Sequence, residues 1–199
     1  MSALALVLMA ALALASHPVR ADAAEESAAA ISDGSYWIVR ALPPALTLFG
    51  GETEERIGRR MLDAGIAAGL AAEGLKRLTK QGRPNDPQAT DGFPSGHATA
   101  AWALAEAAGT EDPDLRPYTY AFATAVTWSR VELDQHSVWQ AVAGAALGYG
   151  VARVSAGSRR GVLGGLFVEG DNPAAFAAQP APTSATFRRP TITLWETQW

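Results

Sequence analysis

Between residues 54 and 154 the apolar positions recur at three- and four-residue steps, separated by two stretches where the repeat stops. The clearest run is 54–80. There Ile57, Met61, Ala64, Ala68, Ala71, Leu75 and Leu78 fall on one side of a helix and predict a single buried face. Glu52, Glu54 and Glu55 read as its acidic first turn. Residues 81–94 hold three prolines, two glycines and Asn85, which predicts a loop. A helix is expected from Gly96 to Ala108, a second loop over 109–117 around Gly109, Pro113 and Pro117, and further helices over 118–131 and 138–154. The many Ala and Gly positions in these helices predict close helix–helix approach.

The ends are less regular. Residues 24–33 read as a flexible start, and Pro43-Pro44 predicts a break in any helix within the apolar stretch 35–49. Beyond Ser155 the chain turns Gly-rich, then Ala/Pro-rich, and 191–199 alternates like a short strand. The predicted fold class is therefore all-α: a helical bundle over 24–155, with an irregular tail over 156–199 that ends in a short β element.

Composition sharpens this picture in three ways. At 199 residues and 48% apolar, the chain is long enough for one domain with its own core. A net charge of −4 supplies no global field for nucleic acid, so any anion must be held by local clusters of Lys and Arg. The absence of cysteine removes disulfides and thiolate chemistry. Residues 3–15 are continuously apolar, too short to span a bilayer, and Ala21-Asp22-Ala23 follows as an A-x-A site. This predicts a signal peptide over 1–23 and a periplasmic or secreted protein, not integral to the membrane once cleaved near Ala23. The longest apolar run of the mature chain, 138–152, reads as a buried core helix.

Three strings carry candidate chemistry. In the first, Lys76 precedes Arg83 by seven residues and Pro84 follows. The second is Pro94-Ser95-Gly96-His97. In the third, Arg130 precedes His136 by six residues. Ser95 stands at the N-cap of the helix that starts at Gly96, so the first backbone amides there are free donors at the positive end of a helix dipole, a ready anion site. Gly96 allows close backbone approach. Lys76, Arg83 and Arg130 lie on separate segments and, if they converge, form a cationic clamp suited to phosphoryl transfer. Of the three histidines, His17 falls in the expected signal peptide, so both others belong to these strings. They supply a nucleophile and a general acid. Asp86 and Asp91 read as turn formers. The six tryptophans read as core or tail packing, with Trp139 beside the site.

The ordered set K-x6-R-P, P-S-G-H and S-R-x5-H, over residues 57–155, resembles the signature of the type 2 phosphatidic-acid phosphatase and vanadium haloperoxidase superfamily, in its small exported acid-phosphatase-like branch. The resemblance implies a helical bundle with the active site at one end. It implies that Lys76, Arg83, Arg130, Ser95 and Gly96 bind phosphate, that His136 becomes a phosphohistidine, and that His97 protonates the leaving group and then activates water. It implies no metal or other cofactor, with vanadate a phosphate mimic, and a phosphorylated small molecule or lipid head group as the partner.

One position departs from the family pattern. The third string there continues H-x3-D, and here Gln140 stands in the aspartate's place. Four residues from His136, Gln140 is expected on the same helix face, its carbonyl accepting the imidazole N–H without supplying charge. A phosphatase of reduced activity, acting on a phosphomonoester or diphosphate, is the first expectation. The alternative is a weakened or inactive protein that only binds phosphate or a phospholipid head group. A vanadate-dependent haloperoxidase is a third.

Overall fold

A computed structural model describes residues 21–168. The apolar stretch 3–15 and the strand expected at 191–199 lie outside the described residues. Among the described residues five α-helices form a bundle: α1 (Ala21–Phe49), α2 (Glu52–Thr79), α3 (Gly96–Glu111), α4 (Arg116–Glu132) and α5 (Val138–Gly157), with a 3-10 turn (Pro113–Leu115) between α3 and α4. Among the described residues no helix is long and apolar enough to cross a membrane.

The central helix is α3, which packs against each of the other four. Its sequence is apolar around nearly its whole circumference, the pattern of a helix with no solvent face. Ala98, Ala101, Ala103, Ala105, Ala107 and Ala108 are all buried. Small side chains let neighbours come close. On α5, a methyl group at Gly148 would stand 2.0 Å from the Thr99 carbonyl oxygen, and one at Gly144 would stand 2.5 Å from that of Ser95. The expected intimate helix contact is therefore made, backbone against backbone, between α3 and α5.

Two expectations are corrected. Residues 24–33 are not a flexible start, and Pro43-Pro44 does not break the chain: α1 is continuous through both. Each proline removes an intrahelical hydrogen bond and costs about 3 kcal/mol in an isolated helix, but this turn is packed. Pro43 is fully buried. The Thr47 hydroxyl donates to the Pro43 carbonyl at 2.9 Å, and Gly58 of α2 leaves room for that turn, since a methyl group there would meet the Pro43 oxygen at 2.7 Å. The second correction concerns α2. Ile57, Met61, Ala64 and Ala68 are buried as expected, but Leu78 is 80% exposed. The seven positions chosen from sequence follow a strict seven-residue repeat, and a straight helix drifts about 20° per heptad from it. Three heptads carry Leu78 off the face.

The segment after α5 folds back onto the bundle. The carboxylate of Asp63, fully buried in α2, accepts from the Ser155 hydroxyl at 2.5 Å and from the amides of Val162 and Leu163 at 2.8 and 2.9 Å. Arg60 adds a bond to the Ser155 carbonyl at 2.8 Å and an ion pair with Glu111 at 2.9 Å.

Candidate functional site

Chain direction brings four helix ends to one side of the bundle. Lys76 lies in the last turn of α2 and Arg130 in the last turn of α4. Both cations therefore sit where helix dipoles are negative and favour them. Gly96 and His97 open α3, and His136 lies in the turn just before α5. Arg83 comes from the loop between α2 and α3. A cavity of about 270 Å³ at Glu52, Arg56 and Arg59 is separate from this group.

A cavity of about 240 Å³ is lined by Lys76, Arg83, Gly96, His97, Arg130 and His136. Six of the eight residues singled out from sequence thus meet around one space. Arg130 is 6% exposed; its guanidinium donates to the Ser32 hydroxyl of α1, and its Nε is buried with no hydrogen-bond partner. Such an orphaned charged donor is costly unless an acceptor reaches it. Burial lowers the Lys76 and Arg130 pKa values, against the pull of Asp91 on Lys76. At Gly96 an added methyl would stand 3.6 Å from the Lys76 ammonium, so the bare backbone faces that cation.

Both imidazoles are pulled down from their ordinary 6.5 to about 4, chiefly by burial, with Arg130 adding a like-charge push. His136 is 2% exposed, and its Nδ1 lies 2.9 Å from the Gly92 carbonyl oxygen. A carbonyl only accepts, so Nδ1 carries the proton and Nε2 holds the free lone pair.

Two residues stand behind the cavity. Ser95 is fully buried; its hydroxyl caps α3, accepting from the Ala98 amide at a long 3.5 Å, and it does not line the space. Gly96 takes the place expected for the pair. Gln140 is not the hydrogen-bond partner of the imidazole Nδ1. Its Oε1 accepts from the Ser137 amide at 3.1 Å and Ser137 Oγ accepts the Gln140 amide at 3.3 Å, a reciprocal cap on α5. Its Nε2 donates to the Gly82 carbonyl at 2.9 Å. Gln140 therefore anchors the loop, and the bond expected of it is made by the Gly92 carbonyl instead.

Asp91, expected only to shape a turn, holds Arg83 in a two-point fork, with one bond of 2.8 Å, while Lys76 stands 3.8 Å away. Arg83 lowers the Asp91 pKa through that hydrogen bond. Gln135 accepts from a further Arg83 donor at 2.8 Å. Asp86 does form a turn, accepting the Gln88 amide at 3.1 Å. Helix α1 supplies residues that the sequence reading missed altogether: Ser35, Tyr36, Val39 and Arg40 line the cavity, and the Arg40 guanidinium lies 3.6 Å from the Tyr36 ring centre. The spacing 32, 36, 40 would have marked one face had 24–49 been taken as helix. Trp139 is 66% exposed, packs on Phe93 with ring centres 6.3 Å apart, and does not line the cavity.

Among the described residues no three His, Asp or Glu side chains are grouped to hold a metal ion. The groups gathered here are cations, backbone at a helix start and imidazoles, which is donor chemistry for an oxyanion. A family model described as the PAP2 superfamily matches residues 2–160. No curated protein and no solved structure matches the chain.

Proposed function

The chain belongs to the PAP2 superfamily, whose members are in general hydrolases of phosphoesters or haloperoxidase-like enzymes, and we propose that it is a metal-independent phosphatase working through a phosphohistidine. One observation carries this reading: two imidazoles and four cations, Arg40, Lys76, Arg83 and Arg130, line a single cavity of about 240 Å³.

In the proposed cycle, Lys76, Arg83, Arg130 and the α3 amides hold the phosphoryl oxygens. The Nε2 lone pair of His136 attacks phosphorus, and the bond to the leaving oxygen breaks with its electron pair on that oxygen. His97 delivers a proton there. Water then attacks the phosphohistidine as His97 takes its proton, the P–N bond breaks onto Nε2, and phosphate departs. The bond from His136 to the Gly92 carbonyl supports the required tautomer at the first step. Because it does so without Gln140, it favours turnover over the reading in which Gln140 marks an inactive binder.

The substrate class is a phosphomonoester or diphosphate, in solution or as a lipid head group. Export follows from the apolar stretch 3–15 and the A-x-A site. Release of inorganic phosphate from p-nitrophenyl phosphate and a lipid diphosphate, with acid-stopped labelling for phosphohistidine, tests the chemistry. If wild type and His136→Ala release equally little across pH 4–8, the reading fails. Intact-mass measurement of protein recovered from outside the cytoplasm tests export, which predicts loss of residues 1–23.

A further inference from the structure

Beside the phosphate cavity lies a second, larger space of about 560 Å³. Its walls include Tyr36, His97 and Arg130, which it shares with the smaller cavity, but neither His136 nor Lys76. In phosphoryl transfer the attacking and leaving atoms stand roughly in line on opposite sides of phosphorus. A space that contains the proposed acid and excludes the proposed nucleophile is therefore on the leaving-group side.

The remaining wall residues define what fits there. Tyr36 and Trp37 of α1 meet edge to face, with ring centres 5.4 Å apart at 81°, and the Tyr36 ring lies 6.4 Å from the His97 ring. Trp37 is 70% exposed, so its face is open to a ligand. Leu133 adds apolar surface, and Asp33 contributes a carboxylate. Among the described residues Arg130 is the only cation that lines this space, and it also lines the smaller cavity; Arg40, stacked on the Tyr36 ring, lines only the smaller one. Aromatic faces bind flat apolar groups and cations. A carboxylate without a second cation disfavours another anion.

The geometry points to a leaving-group subsite, built by Tyr36, Trp37 and Asp33, that selects phosphomonoesters of aromatic or flat apolar alcohols and disfavours an anionic leaving group such as a second phosphate. This rests on the phosphatase reading and names the substrate class for the same site.

Two measurements test it. Phenylphosphonate and methylphosphonate, neither of which turns over, are titrated calorimetrically into wild type and Trp37→Ala. Wild type should bind the phenyl compound about three- to tenfold tighter, the range expected of one aromatic contact, and Trp37→Ala should erase most of that difference. Equal affinity of the two in wild type, or an unchanged ratio in Trp37→Ala, overturns the subsite. Next, kcat/KM for phenyl phosphate and inorganic diphosphate is compared in wild type and Asp33→Asn. Asp33→Asn should raise the ratio of the diphosphate value to the phenyl phosphate value several-fold; an unchanged ratio overturns the charge argument. Absence of turnover with the phosphonate preference intact would instead sink the phosphatase reading and leave the subsite standing. Trp37 and Asp33 are exposed, so both variants should fold, and circular dichroism checks this.

Discussion

Replacing Gln140 separates two structural roles that the family pattern would merge. In Gln140→Glu the reciprocal cap on α5 survives, because Glu is equally suited to that helix position. The donor to Gly82 is lost. A carboxylate oxygen then stands where Nε2 now lies, 2.9 Å from the Gly82 carbonyl oxygen, with no proton between them. Leaving a part-buried carbonyl unpaired costs about 1–3 kcal/mol. A negative charge in the first turn of a helix returns up to about 1 kcal/mol. The net expectation is about 1–2 kcal/mol of destabilisation at pH 7, or about 2–8 °C in Tm for a chain of this size. The loop so loosened carries Arg83 and Gly92, so kcat/KM should fall as well. The sign with pH follows. The new carboxyl, unfavourable when charged, has a raised folded-state pKa. Once protonated it donates to Gly82, so the deficit relative to wild type should shrink from pH 7 towards pH 5. Urea denaturation at several pH values, with phosphate release measured in parallel, reads all of this. Gln140→Asp, one methylene shorter, should also lose the Gly82 bond and gain no rate. A Gln140→Asp variant as stable as wild type with a higher kcat would refute the reasoning, because it would place residue 140 against the imidazole.

A methyl group at Gly92 would stand 2.1 Å from the Gly82 carbonyl oxygen. Gly92→Ala should therefore move its own carbonyl by about 1 Å and cost about 10²-fold in kcat, as such misplacements do; activity within threefold of wild type would contradict this. On α5, Gly148→Ala should be less stable than wild type by about 1–2 kcal/mol, because overpacking of about 1–3 kcal/mol outweighs a helix-propensity gain of about 1. Gly150→Ala, with nothing within 4 Å of its added methyl, should gain up to about 1 kcal/mol; equal urea midpoints for the two would be the contrary result. Both imidazoles, at about 4 when folded against 6.5 unfolded, bind fewer protons in the native state between those values. Stability should thus be full above pH 6.5 and fall as pH drops towards 4, with a shallower slope in His97→Asn. The pH profile of kcat/KM should peak on the acid side, while the basic limb of kcat should sit higher, because bound phosphate favours protonated His97; a kcat/KM maximum above pH 8 would count against the acid role.

Most of the bundle was legible because α2 to α5 announce themselves by apolar spacing and by Gly, Pro and Ser at their ends. The first helix was not. A proline pair reads as a break, and only the packing of Pro43 against Gly58 reverses that. The loss extended to the site, because Ser32, Tyr36 and Arg40 form a face only once α1 is known to be helical. The short strings singled out Lys76, Arg83, Gly96, His97, Arg130 and His136, which line one cavity: five by side chains whose type names their chemistry, and Gly96 by its bare backbone at a helix start. At Ser95 and Gln140 the spacing was compatible with a site contact, and the hydrogen bonds their side chains make are those of helix capping and loop anchorage. Asp91 was undervalued because the fork to Arg83 crosses a loop, and loop geometry is not written in periodicity.

The partner that orients His136 is a peptide oxygen, and that changes how the site can be altered. Every residue type presents the same oxygen, so replacing side chains one at a time would never delete this acceptor; it would reveal itself only through loop displacement. By the same token the imidazole's aim is inherited from the path of the backbone between Gly82 and Gly92. Insertions or deletions there should misaim the His136 imidazole and displace Arg83 with it, while leaving Lys76, His97 and Arg130, which stand on the helices, in place.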